Sequence, residues 1–354
     1  MADGLDALRA QIDALDSEIL DSLARRAETV ERVRALKSDL GREMHDPMRA
    51  ASHIRDLVAR SEGSLPAHVV ERVFGEIHDA MLGVMRGGAD RYASGPLGGA
   101  RRTFSLAGTE VGRRAFWIAG PCSVESAEQI SGVAADLGRL GVKMLRGGAF
   151  KPRTSPASFQ GLGLRGLILL REAADANGMA VVTEAVDERS LESVVEYADV
   201  VQIGTRNAQN YALLRSAGAA GLPVLLKRGF GSTIREWLGA AEYVAAAGCD
   251  RIVLCERGIR TFETETRATL DISSVPVVRE LAGLPVVVDV SHAAGRKDIL
   301  VDLSRASFAV GAAGVMVEVH PNPPAALSDG QQQLTPLEFA AAASDVAASV
   351  ERAP

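Results

Sequence analysis

LRGLILLREAADANGMAVVTEAVDERSLESVVEYADVVQIGTRNAQN, residues 164–210, is the stretch that decides the fold. Within it, short apolar runs at residues 180–183 and 200–203 alternate with helical stretches, the signature of parallel βα units. The alternation continues on both sides. Further strands are expected at residues 116–119, 143–145, 224–226, 252–254, 286–288 and 315–317, with a last helix over 336–351. Eight such units in about 250 residues are what a TIM barrel requires. TFSLAGTEVG (residues 103–112) reads as a small hairpin capping the N-terminal end of the barrel. A doubly wound open sheet is the structural alternative, but its Gly-rich dinucleotide fingerprint is absent after the first strand.

Ahead of the barrel the period changes. Leu5, Leu8, Ile12, Leu15, Ile19, Leu23, Val30, Val33 and Leu40 recur mostly at three- and four-residue steps, which predicts one long amphipathic helix. Gly41 ends it, and shorter helical patterns follow over 48–61 and 66–85, with Pro66 suited to a first turn. Three helices this thin do not close a core alone, so a dimerising domain is expected. GGADRYASGPLGG (residues 87–99) is Gly-rich without apolar periodicity and reads as a linker. The expected domains are therefore a small all-α domain over 1–88, a linker over 89–100 and the barrel over 101–354.

Composition narrows the function classes. Hydrophobic residues make up 47%, ordinary for a globular protein, and the net charge of -6 comes without any basic block. No nucleic acid or anionic membrane partner is expected from that balance. The N-terminus MADGLDALRAQIDALDSE is too acidic and interrupted for a signal peptide, and no apolar run approaches ~18 residues, so a cytoplasmic protein is expected. Its three cysteines, Cys122, Cys249 and Cys255, argue against a disulfide framework; each is a small core residue or a reactive or metal-bound thiol.

Active sites of this barrel sit at the C-terminal strand ends. Those positions hold Cys122, Arg146, Glu184, Arg206, Lys227, Glu256 with Arg257, Asp289 with His292, and Glu318 with His320. A single strand ending in a charge is ordinarily just solvated. Nearly every strand ending so makes the mouth a ring of cations around a Cys/His/carboxylate cluster, which suits a polyanionic substrate and a divalent metal.

Seven strings lie in order along the barrel: GPCSVES (120–126), LRGGAFKPRTSP (145–156), QIGTRNAQN (202–210), LLKRG (225–229), LCERGIRTFET (254–264), DVSHAAGRKD (289–298) and VEVHPNPPAALSDG (317–330). Together they resemble the type I 3-deoxy-7-phosphoheptulonate (DAHP) synthases, most closely the shorter β subtype. KPRTS is similar to the version that handles the four-carbon aldose phosphate; octulosonate synthases carry a different string after that Lys. The resemblance implies condensation of phosphoenolpyruvate with erythrose 4-phosphate, the first step of the shikimate pathway. It implies Arg146, Lys151, Arg206, Lys227 and Arg257 as phosphoenolpyruvate ligands and Arg153, Thr154 and Ser155 as the erythrose-phosphate loop. Two phosphates and a carboxylate held close together do demand several guanidinium forks and ammonium groups.

The same resemblance makes Cys122, His292, Glu318 and Asp329 metal ligands, a mixed set open to Mn, Fe, Co or Zn. An open position would take the aldehyde oxygen and polarise it. Lys151 is then the candidate for proton transfer and Glu184 for positioning water. Glu318 and His320 are two apart on one strand and face the same side, which leaves His320 a rival ligand; the family pattern favours Glu318. Cys249 and Cys255 match no ligand position and are expected in the core.

LRAQIDALDSEILDSLARRAETVERVRALK (residues 8–37) resembles the all-helical chorismate mutases, the similarity covering about 5–86. Such enzymes grip the two carboxylates of chorismate with cations converging on one pocket. Arg26 and Lys37 are eleven apart, about three turns, and share a face; Arg9 lies about 100° away, consistent with serving the other subunit's pocket. The plain alternative is a solvated Arg face. Arg9, Arg26, Lys37, Asp46 and Arg49 match the family's residues, but Ala50 stands where a Glu is usual and Met85 where a Gln or Glu donor is usual. Loss of one transition-state donor costs ~10²–10³ in rate. The expectation is a synthase whose helical domain senses chorismate or prephenate, in a homotetramer. The alternatives are a bifunctional synthase and mutase, and a barrel that only binds sugar phosphate.

Overall fold

The computed structural model describes residues 2–40, 47–61, 64–85, 97, 102–113, 115–151 and 158–350. The chain divides into two compact units, Met1–Arg91 and Tyr92–Pro354. In the first, α1 (Ala2–Asp39), α2 (Pro47–Arg60) and α3 (Ala67–Met85) are the three expected helices, with α3 packed against both others. Leu5, Leu8, Ile12, Leu15, Ile19 and Leu20 on α1 are each more than half exposed. None of the described residues of that unit covers this apolar row.

The second unit opens with the hairpin β1 (Phe104–Leu106) and β2 (Thr109–Val111). Strand and helix then alternate: β3 (Phe116–Gly120), α4 (Ala127–Arg139), β4 (Met144–Arg146), α5 (Leu164–Ala176), β5 (Ala180–Ala185), α6 (Glu188–Tyr197), β6 (Val200–Ile203), α7 (Tyr211–Ala219), β7 (Val224–Lys227) and α8 (Ile234–Ala246). The rest are β8 (Ile252–Glu256), α9 (Ser274–Ala282), β9 (Val286–Asp289), α10 (Val290–Ala294), α11 (Leu300–Ala309), β10 (Gly314–Glu318) and α12 (Pro336–Val350). Strands β3 to β10 are parallel and close into a barrel when β10 pairs with β3. Helix starts are fixed locally: Asp187 and Thr233 form capping boxes at the heads of α6 and α8.

Side chains alternate across each strand, so every second residue enters the barrel. Phe116, Ile118, Met144, Val182, Val200, Leu225, Val253, Val287 and Met316 fill its interior, and Phe104, Leu106 and Val111 of the hairpin plug its floor. The opposite faces pack beneath the helices around Trp237 and Phe339. Leu97, which falls in the stretch read as a linker, is 1% exposed and joins that outer core. One more step along the inward register brings Arg146, Glu184, Gln202, Lys227, Asp289 and Glu318 to the mouth. The layer above the apolar filling is polar.

Candidate active site

β9 ends at Asp289, which caps the short α10: its Oδ1 accepts from His292 N at 3.0 Å. Its Oδ2 takes Lys227 Nζ at 2.6 Å and lies 2.8 Å from His292 Nδ1. An ionised carboxylate only accepts, so the Nδ1 proton points at Asp289 and Nε2 is left facing Glu318 Oε1 at 3.4 Å and Asp329 Oδ2 at 4.0 Å. Burial pushes the His292 imidazole down to about 4, against the pull of Asp289 and Glu318, so the ring is neutral at neutral pH. Burial opposes the charge on Asp289, yet His292 and Lys227 hold it well below the usual carboxylate range.

Cys122 follows β3, and its Sγ donates to Asp329 Oδ2 at 3.3 Å. Burial, then Glu318, pushes this thiol up to about 11. Asp329 moves the other way: burial raises it, but Arg267 and His292 bring it down to about 2. Glu318 Oε1 receives Arg146 Nη1 at 2.9 Å and its Oε2 receives Gln332 Nε2 at 2.6 Å. Ligand atoms of Cys122, His292, Glu318 and Asp329 all lie within 4.8 Å of one another. One soft sulfur, one neutral imidazole nitrogen with its far side anchored, and two carboxylates make a donor set that fits a divalent transition metal. His320 is not part of it. Its Nδ1 accepts from Asn322 N at 3.0 Å and its Nε2 faces Glu125 at 3.3 Å.

Beside this quartet a pocket is lined by Lys151, Glu184, Arg206, Lys227, Phe230, Arg257 and Arg267, together with His292 and Asp329. Lys151 Nζ lies 3.0 Å from Cys122 O and 3.1 Å from Cys122 Sγ. Arg257 is buried, its Nη1 has no hydrogen-bond partner among the described residues, and its guanidinium sits 4.7 Å over the Phe230 ring. A ring face holds a cation without occupying its N–H donors. Burial, then Arg267, drives the Arg257 proton affinity below its ordinary value despite Asp289, which marks a buried guanidinium lacking a full counter-charge. Glu184 lies against Gly204, where a Cβ would fall 1.9 Å from its Oε1, and accepts from Gln202 Nε2 at 3.3 Å. Arg206 is exposed on the 3₁₀ turn Thr205–Asn207.

Arg146 is buried and salt-bridged to Glu318, and its Nε has no partner among the described residues. Glu256 does not belong to the mouth: it has the outward parity of Leu254 and pairs with Arg228 at 2.9 Å, while Arg257 resumes the inward side. Arg153, Thr154 and Ser155 lie outside the described residues. Arg267, Phe230 and Gln332 were not singled out in the sequence, because none stands at a strand end. In the helical unit Arg26 and Lys37 are half-buried on the continuous α1, and Arg26 Nη1 has no partner among the described residues. Arg9 is exposed and pairs with Asp6 at 3.2 Å, and Arg49 is exposed. Asp46 and the side chains of Ala50 and Met85 lie outside the described residues. Cys249 and Cys255 are buried core thiols, as expected.

Fold and site together define a class: a TIM barrel whose mouth joins a side-chain set able to hold a divalent metal to a pocket lined largely by cations. The chain belongs to the DAHP synthetase I family, matched over residues 106–352, and residues 8–86 match chorismate mutase type II. A phospho-2-dehydro-3-deoxyheptonate aldolase of Thermotoga maritima is 62% identical over 217 residues, covering 61% of this chain and 64% of that protein. A 2-dehydro-3-deoxyphosphooctonate aldolase of Syntrophotalea carbinolica is 35% identical over 239 residues, 62% of this chain and 85% of that one. The crystal structure of the Thermotoga maritima DAHP synthase superposes with a TM-score of 0.70 at 55% identity, covering 71% of this chain and 74% of that one. Its truncated form gives 0.67 at 50% identity, with 71% and 93% covered. No helix among the described residues is long and apolar enough to cross a membrane.

Proposed function

We propose that this chain condenses phosphoenolpyruvate with erythrose 4-phosphate to DAHP and phosphate, in the cytoplasm. The observation that carries this is one distance: Lys151 Nζ, a pocket cation, is 3.1 Å from Cys122 Sγ, so the anion pocket and the metal ligands share one chamber. Cys122, His292, Glu318 and Asp329 would hold a divalent ion, Mn, Fe, Co or Zn, which when bound would supply Lewis-acid polarisation of the aldehyde oxygen. Arg257, Lys227, Arg206 and Lys151 grip phosphoenolpyruvate, and Arg257 Nη1, without a partner among the described residues, is a donor a phosphate would fill. Arg146 is read as a phosphoenolpyruvate ligand with them; it is paired with Glu318, and its Nε has no partner among the described residues.

C3 of phosphoenolpyruvate adds to the aldehyde carbon, water adds at C2, and the phosphate leaves. Burial opposes the charge on Lys151, but Cys122, then Glu318 and Glu184, outweigh it and raise its proton affinity. Lys151 therefore begins the cycle as an ammonium and acts as a proton donor at the reacting centre. Glu184, held against Gly204, positions the water. Arg153, Thr154 and Ser155 take the aldose phosphate. The KPRTS string and the higher identity to the heptonate aldolase favour the four-carbon over the five-carbon partner.

For the helical domain the reading is a feedback sensor for chorismate or prephenate, over 1–88, joined through 89–100 to the barrel over 101–354. The half-buried Arg26 supports dicarboxylate binding, and the exposed apolar row of α1 supports pairing of helical domains within a homotetramer. The test is phosphate release from the two substrates by chain stripped of metal and reloaded with Mn, Fe, Co or Zn. Release restored by metal is expected; none with any metal overturns the synthase reading, and fast chorismate turnover favours the bifunctional one.

A further inference from the structure

Arg267 lies in the segment between β8 and α9, off every strand end, yet it touches Asp329, the helix that carries His292, and Gln332, which in turn holds Glu318. Its backbone N donates to Ala294 O at 3.0 Å, at the end of the helix that carries His292. Closing that helix is Gly295 at φ 68, where a Cβ would come 2.5 Å from Arg267 Cβ, so only glycine admits this approach. Its Nη1 reaches Asp329 Oδ1 at 3.3 Å and Gln332 Oε1 at 2.9 Å. Gln332, fully buried, passes the chain on through Nε2 to Glu318 Oε2 at 2.6 Å.

Each ligand carboxylate is thereby divided. Asp329 gives Oδ1 to Arg267 and turns Oδ2 toward Cys122 and His292; Glu318 gives Oε2 to Gln332 and turns Oε1, which also accepts from Arg146 Nη1 and keeps a second lone pair, toward His292. We propose that Arg267 and Gln332 form a brace that holds Asp329 and Glu318 each with one oxygen presented to the divalent ion, making Arg267 a positioning residue for the metal centre. Asp329 needs such a brace, because it stands in the left-handed region at φ 51 on a loop that follows the last strand. A guanidinium suits the task, since one planar group meets two acceptors in fixed geometry where a lysine ammonium is a point charge.

The inference rests on the quartet being a metal site, and one titration separates the two. Co(II) is added to metal-stripped full-length chain and to Arg267→Met, Arg267→Lys and Gln332→Met, reading affinity by chelator competition and geometry by the thiolate charge-transfer and d–d bands. Expected is Co(II) binding by the unaltered chain, with affinity lower by roughly 10–100-fold and shifted d–d bands in Arg267→Met and Gln332→Met. Arg267→Lys should fall between. Unaltered affinity and bands in Arg267→Met overturn the brace; if KM for either substrate rises there, Arg267 is a substrate ligand instead. Should Arg267→Met not fold, Gln332→Met decides alone, because it cuts the link to Glu318 without removing a charge. No Co(II) binding by the unaltered chain overturns the metal reading and the brace with it.

Discussion

Asp289 Oδ2 lies 2.8 Å from His292 Nδ1 and 2.6 Å from Lys227 Nζ, so one carboxylate oxygen sets both an imidazole tautomer and a buried ammonium. Asp289→Asn keeps the shape and removes the charge. It should weaken divalent-metal binding by roughly 10–100-fold, because His292 loses its anchor. The buried Lys227 also loses its counter-charge, for which a stability loss of about 3–5 kcal/mol is expected in urea unfolding. Wild-type values in both measurements would show that the contact is incidental.

Cys122→Ala and His292→Ala should each abolish DAHP formation while leaving far-ultraviolet circular dichroism unchanged. Both residues lie above the apolar filling of the barrel, so their removal takes away a proposed metal ligand and not a core contact. Near-native turnover by either variant after chelator treatment would refute the metal assignment.

Metal affinity should depend on pH through one group. Burial holds the Cys122 thiol at about 11, so without an ion its proton stays on at neutral pH and must leave when the ion binds. His292 at about 4 and Asp329 at about 2 have already lost theirs. Binding therefore releases one proton, and apparent affinity rises with pH by about tenfold per unit between pH 6 and 8, falling equally on acidification. Buffered chelator titrations measure the slope. A flat profile would mean that sulfur is not a ligand.

Most of the barrel was legible because strand register is written in apolar residues. The predicted runs at 180–183, 252–254 and 286–288 fall short of β5, β8 and β9 by one or two residues. The missing ends hold Glu184 and Asp289, where hydrophobicity stops because the mouth begins, and Glu256, which turns outward. Reading strand ends without parity also placed Glu256 at the mouth, although its outward side gives it to Arg228. Leu97 was hidden by its Gly-rich neighbours, since a single apolar anchor has no period. Arg267, Phe230 and Gln332 were invisible for a related reason. They reach the site from loops whose paths no local pattern fixes, and their contacts span segments far apart in the chain.

Lys151 and Arg153 stand two residues apart and should fail differently. Lys151 lies beside Cys122 Sγ and is proposed for proton transfer, so Lys151→Ala should lower kcat severely. Arg153, assigned to the remote phosphate of the aldose, should on change to Ala chiefly raise KM for erythrose 4-phosphate. Steady-state kinetics with each substrate varied in turn resolve the two. Equal effects on both parameters in both variants would remove the distinction.

The helical domain should have exchanged catalysis for control. It keeps the cations Arg9, Arg26 and Lys37 but has Ala50 and Met85 where the related mutases present hydrogen-bonding groups. Cations that grip carboxylates act on ground state and transition state alike, whereas a donor to the breaking ether bond acts in the transition state. Losing the second and keeping the first preserves binding and weakens turnover. Prephenate or chorismate should then slow the synthase, with a coupling of ~1–3 kcal/mol, or ~5–150-fold. Because Met1–Arg91 is a compact unit of its own, and the truncated Thermotoga maritima synthase superposes on this chain over 93% of its length, removing residues 1–90 should leave a folded barrel. That barrel should make DAHP at an undiminished rate and ignore both ligands. In the full chain, Ala50→Glu with Met85→Gln should raise chorismate mutase activity. Fast chorismate turnover by the unaltered chain, with no change in synthase rate at saturating prephenate or chorismate, would reverse the assignment and make the protein bifunctional.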